Sequence, residues 1–435
     1  MNRRDFLVRS LAAAGAFPVL AVVLAACGDD EPPSSGGTGE ARSSALRRSP
    51  SSNAATSGAA VVNGLGASMY EALAGDAPNL VFSPASIAIA MSMARAGAAG
   101  TTATEIDAVL AADASLHDAM NGLTAALVSR TGSFQAMGET VDVELAIANS
   151  LWGQDSLTWK QPFLDVLAAE YGAGLRLVDF VKDPEAARRA VNAWVDDETE
   201  QRIPELLAAG TVTSDWRLTL VNAVYMKAPW SRPFTESLTA DAPFTTLSGS
   251  TVQVPMMRDS NNLQYASGPG WQAISLPYAG DALDMLIVVP DAGALAQVEG
   301  ELASGLLDRV GAALSPRLVD LGLPTFDIET EASLGEVLRA LGMPSAFDPD
   351  FADFSAMTDD ERLFIAAVVH QANITVDERG TEAAAATAIG MATTSAPTDP
   401  PVDLVIDRPF LFAVRDVPTG ATVYLGRLGD PSARR

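Results

Sequence analysis

The sequence predicts an α+β fold: helices fill most of the first half of the chain and strands dominate the second. Two observations predict it. Apolar residues recur at helical spacing up to about residue 203, and from about residue 218 the period shifts to that of strands. In order, "VVNGLGASMYEALA" (61–74) carries the helical period. "SPASIAIAMSMARAGAAG" (83–100) opens with Ser-Pro, the cap and first-turn chemistry of a helix, and stops at glycine. "TTATEIDAVLAA" (101–112) starts with Thr102-x-x-Glu105, a capping-box pattern that predicts a helix N-terminus there. "QPFLDVLAAEYG" (161–172) and "PEAARRAVNAWVDDETEQRI" (184–203) read as two further helices. "LTLVNAVYMKAPW", "WQAISLPYA", "ALDMLIVVP", "LVDLGLPTFDIETE", "ANITVDE", "VDLVIDRPFLFAVRD" and "TVYLGRL" read as strands.

The 435 residues are 48% hydrophobic and 19% charged, enough apolar material for a large core. A net charge of −26 argues against a nucleic-acid partner, which needs a basic footprint. A single cysteine, Cys27, allows neither an internal disulfide nor a cysteine metal cluster. No HExxH, GxSxG or GxxxxGK[ST] pattern is present, so the sequence points to no enzyme, no metal and no cofactor. The N-terminus has a basic start and then an apolar run from Leu11 to Ala26, too short for a membrane span. Arg3-Arg4 before Asp5, Phe6 and Leu7 resembles a twin-arginine signal, and Leu24-Ala25-Ala26-Cys27 resembles a bacterial lipobox. The expected organisation is a signal peptide at 1–26, a flexible spacer at 27–60 anchored by lipid on Cys27, and one globular domain at 61–435. The implied location is outside the cytoplasm, on a membrane or beyond it.

Spaced blocks then identify a family. "NLVFSPASIAIAMSMARAGAAGTTATEI", "LVNAVYMKAPWSRPF", "VVHQANITVDERGTEAAAAT", "DRPFLFAVRD" and "VYLGRLGDP" occur in the order found in serpins, and the resemblance covers nearly all of residues 61–431. It implies a helix cluster around three β-sheets with an exposed reactive-centre loop, here about 378–404. It also implies the activity. A target serine protease cleaves the loop, remains bound as an acyl ester, and is distorted when the loop enters the main sheet as a new strand. The implied partner is that protease, and the implied state is a monomer.

The hinge of that loop matches Glu378, Gly380, Thr381, Glu382, Ala383, Ala384, Ala385, Ala386 and Thr387. Strand side chains alternate in direction. The resemblance turns Thr381, Ala383, Ala385 and Thr387 inward, and all are small and uncharged, as a packed interior requires. Family spacing puts the cleaved bond at Thr394-Ser395. The stretch to Pro409 is longer than usual, so a bond nearer Thr398, or Met391-Ala392, stays open. Arg379 and Arg408 bracket a stretch without Lys or Arg, which directs the reading toward elastase-, subtilisin- or chymotrypsin-like targets rather than trypsin-like ones. The resemblance also marks residues that control sheet opening: Ser83, Ser86, Asn222 and His370, with Trp230 near the point of loop entry. Thr325 stands where the family often has a lysine paired to the hinge glutamate. The competing reading is a non-inhibitory binding or structural protein on the same fold, because "TEAAAATA" is also good helix material.

Overall fold

The computed structural model describes residues 39–75, 77–381 and 400–433. Its helices are α1 (Ala54–Ala74), α2 (Pro84–Arg95), α3 (Gly100–Val109), α4 (Leu116–Val128), α5 (Gln161–Val166), α6 (Pro184–Glu198), α7 (Leu295–Gly300), α8 (Leu306–Ala313) and α9 (Gly335–Leu341). A π-helical turn, Leu167–Tyr171, continues α5 and ends at the left-handed Gly172. Helix α2 starts as its sequence predicts. Ser83 is the cap, its hydroxyl accepting from the Ser86 N–H at 3.2 Å, and Pro84 sits where an N–H would have no partner.

Helix α3 starts differently from its sequence reading. Its cap is Ala99, and Thr102 lies inside the helix, fully buried. Thr102 Oγ1 instead shares a 3.0 Å hydrogen bond with Ser345 Oγ and accepts from the Asp353 N–H at 3.0 Å. Glu105 accepts from the N–H and hydroxyl of Ser345. The capping-box pattern is used to dock a distant turn, a tertiary demand that outweighs a local one.

The strands are β1 (Gly39–Ala41), β2 (Leu80–Phe82), β3 (Gly132–Ala136), β4 (Glu139–Gln154), β5 (Leu175–Val178), β6 (Leu218–Pro229), β7 (Ala240–Thr245), β8 (Thr251–Gly268), β9 (Trp271–Pro277), β10 (Leu283–Pro290), β11 (Ser315–Pro324), β12 (Phe326–Ser333), β13 (Ala367–Val376), β14 (Gly380–Thr381), β15 (Val402–Val405), β16 (Phe410–Asp416) and β17 (Ala421–Leu428). Among the described residues they form two hydrogen-bonded networks. The main sheet runs β1-β5-β4-β6-β14-β13-β12, and the second runs β15-β11-β8-β9-β10-β16-β17-β2. The three sheets implied by resemblance reduce to two networks because the long β8 pairs with β7 and β11 over much of its length and with β9 at its end.

Two apolar clusters hold these layers. The larger takes α1 and α2, one face of the main sheet and the second network, with Phe82, Phe326, Phe410 and Phe412 fully buried. The smaller lies between α6 and the outer face of the main sheet, joining Ala187, Val191 and Val195 to Trp152, Val221 and Ala223. Arg176 closes it, its guanidinium 5.5 Å from the Trp152 ring and 5.0 Å from the Trp194 ring.

The expected spacer at 27–60 needs correction over its second half. Residues 39–60 belong to the folded unit: β1 pairs with β5, and α1 begins at Ala54. Composition did not reveal this because the segment is held by backbone pairing and polar side chains, which leave no apolar periodicity. Residues 1–38, including the signal-like run and Cys27, lie outside the described residues.

Candidate functional site: the seam between β6 and β13

Among the described residues, the main sheet parts at the seam between β6 and β13. Strands β6 and β13 run parallel and pair directly from Thr219 with Ala367 to Val224 with Ala372. Above that they part, and β14 fills the gap. Gly380 and Thr381 lie opposite Pro229 and Ala228 of β6, and Thr381 lies opposite Val376 of β13. The first two strand residues after the turn thus already occupy the position of a central strand.

The turn that places them is built from its own side chains. Asp377 Oδ1 accepts from the N–H groups of Arg379 (2.8 Å) and Gly380 (3.2 Å). Burial pushes the Asp377 carboxyl above its ordinary pKa, and those two N–H bonds oppose the shift. Gly380 has φ of 149°, and a Cβ there would overlap the Ala228 carbonyl oxygen and the Pro229 backbone. No other residue type fits. Thr381 is 1% exposed and shares a 2.8 Å hydrogen bond with the hydroxyl of Tyr278. Residues 382–399 lie outside the described residues, and with them Glu382, Ala383, Ala384, Ala385, Ala386, Thr387 and every candidate bond: Thr394-Ser395, the one nearer Thr398, and Met391-Ala392.

Trp230 braces this entrance. Its N–H donates to the Arg379 carbonyl at 2.8 Å, its indole N–H donates to the Asp377 carbonyl at 3.0 Å, and its ring stacks on Tyr278 at 4.5 Å. The Phe234 N–H donates to the Glu378 carbonyl at 2.7 Å, and Arg379 pairs with Glu236 at 2.9 Å. At the position where the resemblance implies a lysine, Thr325 gives its N–H to the Pro255 carbonyl. The Glu378 carboxylate is held instead by the hydroxyl of Thr239, at 2.6 Å. Sequence reasoning had no route to Thr239, which sits in a polar turn far along the chain.

Lower on the seam, α2 reaches up to the sheet. The Ser83 N–H donates to His370 Nε2 at 3.1 Å, and Ser86 Oγ donates to Asn149 Oδ1 at 2.7 Å. Register aligns Asn149 with Asn222 and Asn222 with His370 across β4, β6 and β13. Ser83, Ser86, Asn222 and His370 are therefore brought together, while Trp230 belongs to the entrance above. Asn149 plays the bonding role expected of Asn222. Neither amide atom of Asn222 has a hydrogen-bond partner among the described residues, nor do Asn149 Nδ2 and His370 Nδ1. Burial pushes the His370 pKa down to about 3, so the ring is neutral, with Nε2 as acceptor and the proton on Nδ1. Among the described residues no group of three or more His, Cys, Asp or Glu is placed to hold a metal ion.

The site is thus a sheet parted at one end, with its own chain turned into the gap and a polar cluster beneath the closed part. Comparison with known proteins identifies the family. The family model described as "Serpin (serine protease inhibitor)" matches residues 60–431. The chain is 35% identical over 372 residues to an uncharacterized serpin-like protein of Thermococcus kodakarensis, covering 85% of each chain. It is 36% identical over 368 residues to the leukocyte elastase inhibitor of Bos taurus, covering 82% of this chain and 94% of the relative. Among solved structures, the native state of the thermophilic serpin tengpin superposes with a TM-score of 0.76 at 25% identity, covering 88% of this chain and 97% of tengpin. Thyroxine-binding globulin in complex with thyroxine superposes at 0.75 and 26% identity, covering 86% of this chain and 99% of the globulin. The chain belongs to the serpin family.

Proposed function

We propose that this protein is a suicide inhibitor of serine proteases and that the seam between β6 and β13 is its trap. The protease serine attacks a carbonyl in the loop between Thr381 and Pro400, forming an acyl ester as the new amine leaves. The freed hinge then extends β14 down the seam, separating β6 from β13 and displacing the serine, asparagine and histidine groups beneath. The observation that carries this reading is the seating of Gly380 and Thr381 between the two strands, with direct pairing below them. About a dozen added ladder bonds at roughly 0.5–1.5 kcal/mol each would release on the order of 10 kcal/mol. That matches a domain's whole stability, so the uncleaved form is held kinetically.

The stretch from Gly380 to Asp407 offers no Lys or Arg, so the target class is elastase-, subtilisin- or chymotrypsin-like. The leukocyte elastase inhibitor among the relatives fits that choice. Export and lipidation at Cys27 would place the inhibitor on a cell surface. The test is incubation with subtilisin, pancreatic elastase and trypsin. An SDS-resistant complex with either of the first two, and none with trypsin, supports the reading. Clean loop cleavage without a complex supports the non-inhibitory alternative.

A further inference from the structure

The second network leaves a gap beside the entrance. β7 ends its pairing opposite Met256 of β8, and β9 begins its own opposite Gln264. Between those positions β8 has β11 on one side and, among the described residues, no strand on the other. The chain leaving β6 crosses there, fastened by the Ser231 N–H, which donates to the Pro277 carbonyl at 2.9 Å. Where the crossing segment meets β8, β9 and β11 lies a cleft of about 290 Å³. Part of its lining is apolar: Trp230, Phe234, Leu276 and Leu321, all buried. The rest carries charge. The exposed Arg232 donates from its guanidinium to Asn261 Oδ1, and Asn261 Nδ2 donates to the Asp259 carboxylate. Neither Arg232 nor Asp259 pairs with an opposite charge among the described residues.

A donor fork and a carboxylate, held one amide apart beside an apolar wall, complement the carboxylate, ammonium and side chain of an α-amino acid. A bare anion would be repelled by Asp259 and a bare cation by Arg232, so a zwitterion answers both. The volume is at the small end of ligand cavities and suits a single residue with a large apolar side chain. We propose that this cleft is a binding site for a free α-amino acid of that kind. Its occupant rests on Trp230 and Phe234, whose backbone N–H groups hold the carbonyls of Arg379 and Glu378. Occupancy therefore stabilises the uncut form in which that turn seats β14.

The test uses three probes titrated into the full chain by calorimetry: L-phenylalanine, 3-phenylpropionate, which lacks the ammonium, and phenethylamine, which lacks the carboxylate. L-Phenylalanine should bind about tenfold tighter than either of the others, and it should raise the melting temperature of the uncut protein. Arg232→Gln should weaken L-phenylalanine and 3-phenylpropionate alike by about tenfold. Asp259→Asn should weaken L-phenylalanine but leave 3-phenylpropionate as tight or tighter. That crossed pattern is one a general loss of structure cannot produce. Absence of saturable L-phenylalanine binding at millimolar concentration, equal affinity for the three probes, or variants that bind as the parent does would each overturn the site. No protease enters these measurements, so they stand or fall separately from loop insertion.

Discussion

Thr381→Arg tests the seam most directly. Thr381 is 1% exposed and faces Tyr278, so an arginine there must either bury an unpaired guanidinium or leave the sheet. Burial costs several kcal/mol even after relaxation. Leaving forfeits the pairing of Gly380 and Thr381 with Ala228, Pro229 and Val376 and the bond to Tyr278, in all about 3 kcal/mol at roughly 1 kcal/mol per bond. The cheaper route is expulsion, so the uncleaved protein should stay folded with its hinge outside the sheet. Under the proposed insertion, the same arginine must enter first after cleavage. A barrier raised by about 4 kcal/mol slows insertion roughly a thousandfold, and hydrolysis of the acyl ester then overtakes trapping. The assay is stoichiometry of inhibition with subtilisin or elastase, read beside SDS gels. The expected result is cleaved inhibitor, active protease and little complex. Thr381→Val, which loses only the hydroxyl, should still trap. One-to-one complex formation by Thr381→Arg at the parent rate would refute the reasoning, because the hinge would then not be entering at Thr381.

Three other outcomes follow from the geometry. His370 is held neutral with a pKa near 3 against 6.5 when unfolded, so the unfolded state binds the extra proton between those values. Stability of the native form should therefore rise with pH from about 3 to 6.5 and be lost as pH falls through that window, and His370→Gln should flatten the slope in melts taken across it. Thr239→Val removes the hydroxyl that holds Glu378, which should cost about 1 kcal/mol of native stability by denaturant titration. No change would mean that solvent already serves Glu378. Arg176→Ala removes the contacts to Trp152 and Trp194 and should lower hydrogen-exchange protection in α6 by about 1 kcal/mol. Equal loss across the whole domain would count against a local role.

How much of this was readable in the sequence depended on the kind of signal. Ser83-Pro84 announced α2 because capping chemistry is local. Thr381 was singled out by a family pattern, and no local signal marks it as buried. By contrast β4 lacks a strong apolar run and β8 carries Pro255 and an Asp-Ser-Asn-Asn stretch, so neither read as a strand; both are set by neighbours on two sides. "LVDLGLPTFDIETE" read as one strand and is two, β11 and β12, parting at Thr325 into different networks. Asn149 and Thr239 carried no sequence signal at all. Each is an ordinary polar residue whose partner lies far along the chain.

The small cluster under α6 has a mechanical consequence. Its residues come from α6, β4, β5, β6 and the loop after α6, and from β13 the buried contribution is Val369. The seam therefore runs along the border of that cluster rather than through its middle. Under the proposed insertion, α6 would travel on one bank with its apolar underside intact, and that face would part only from Val369 and the partly buried Ala366 and Ala367. On the opposite face α2 bridges the seam, through Ser83 to His370 of β13 and through Ser86 to Asn149 of β4. The sheet is thus fastened on one face and nearly free on the other, so it should open as a hinged door does, and not by the two halves sliding apart evenly.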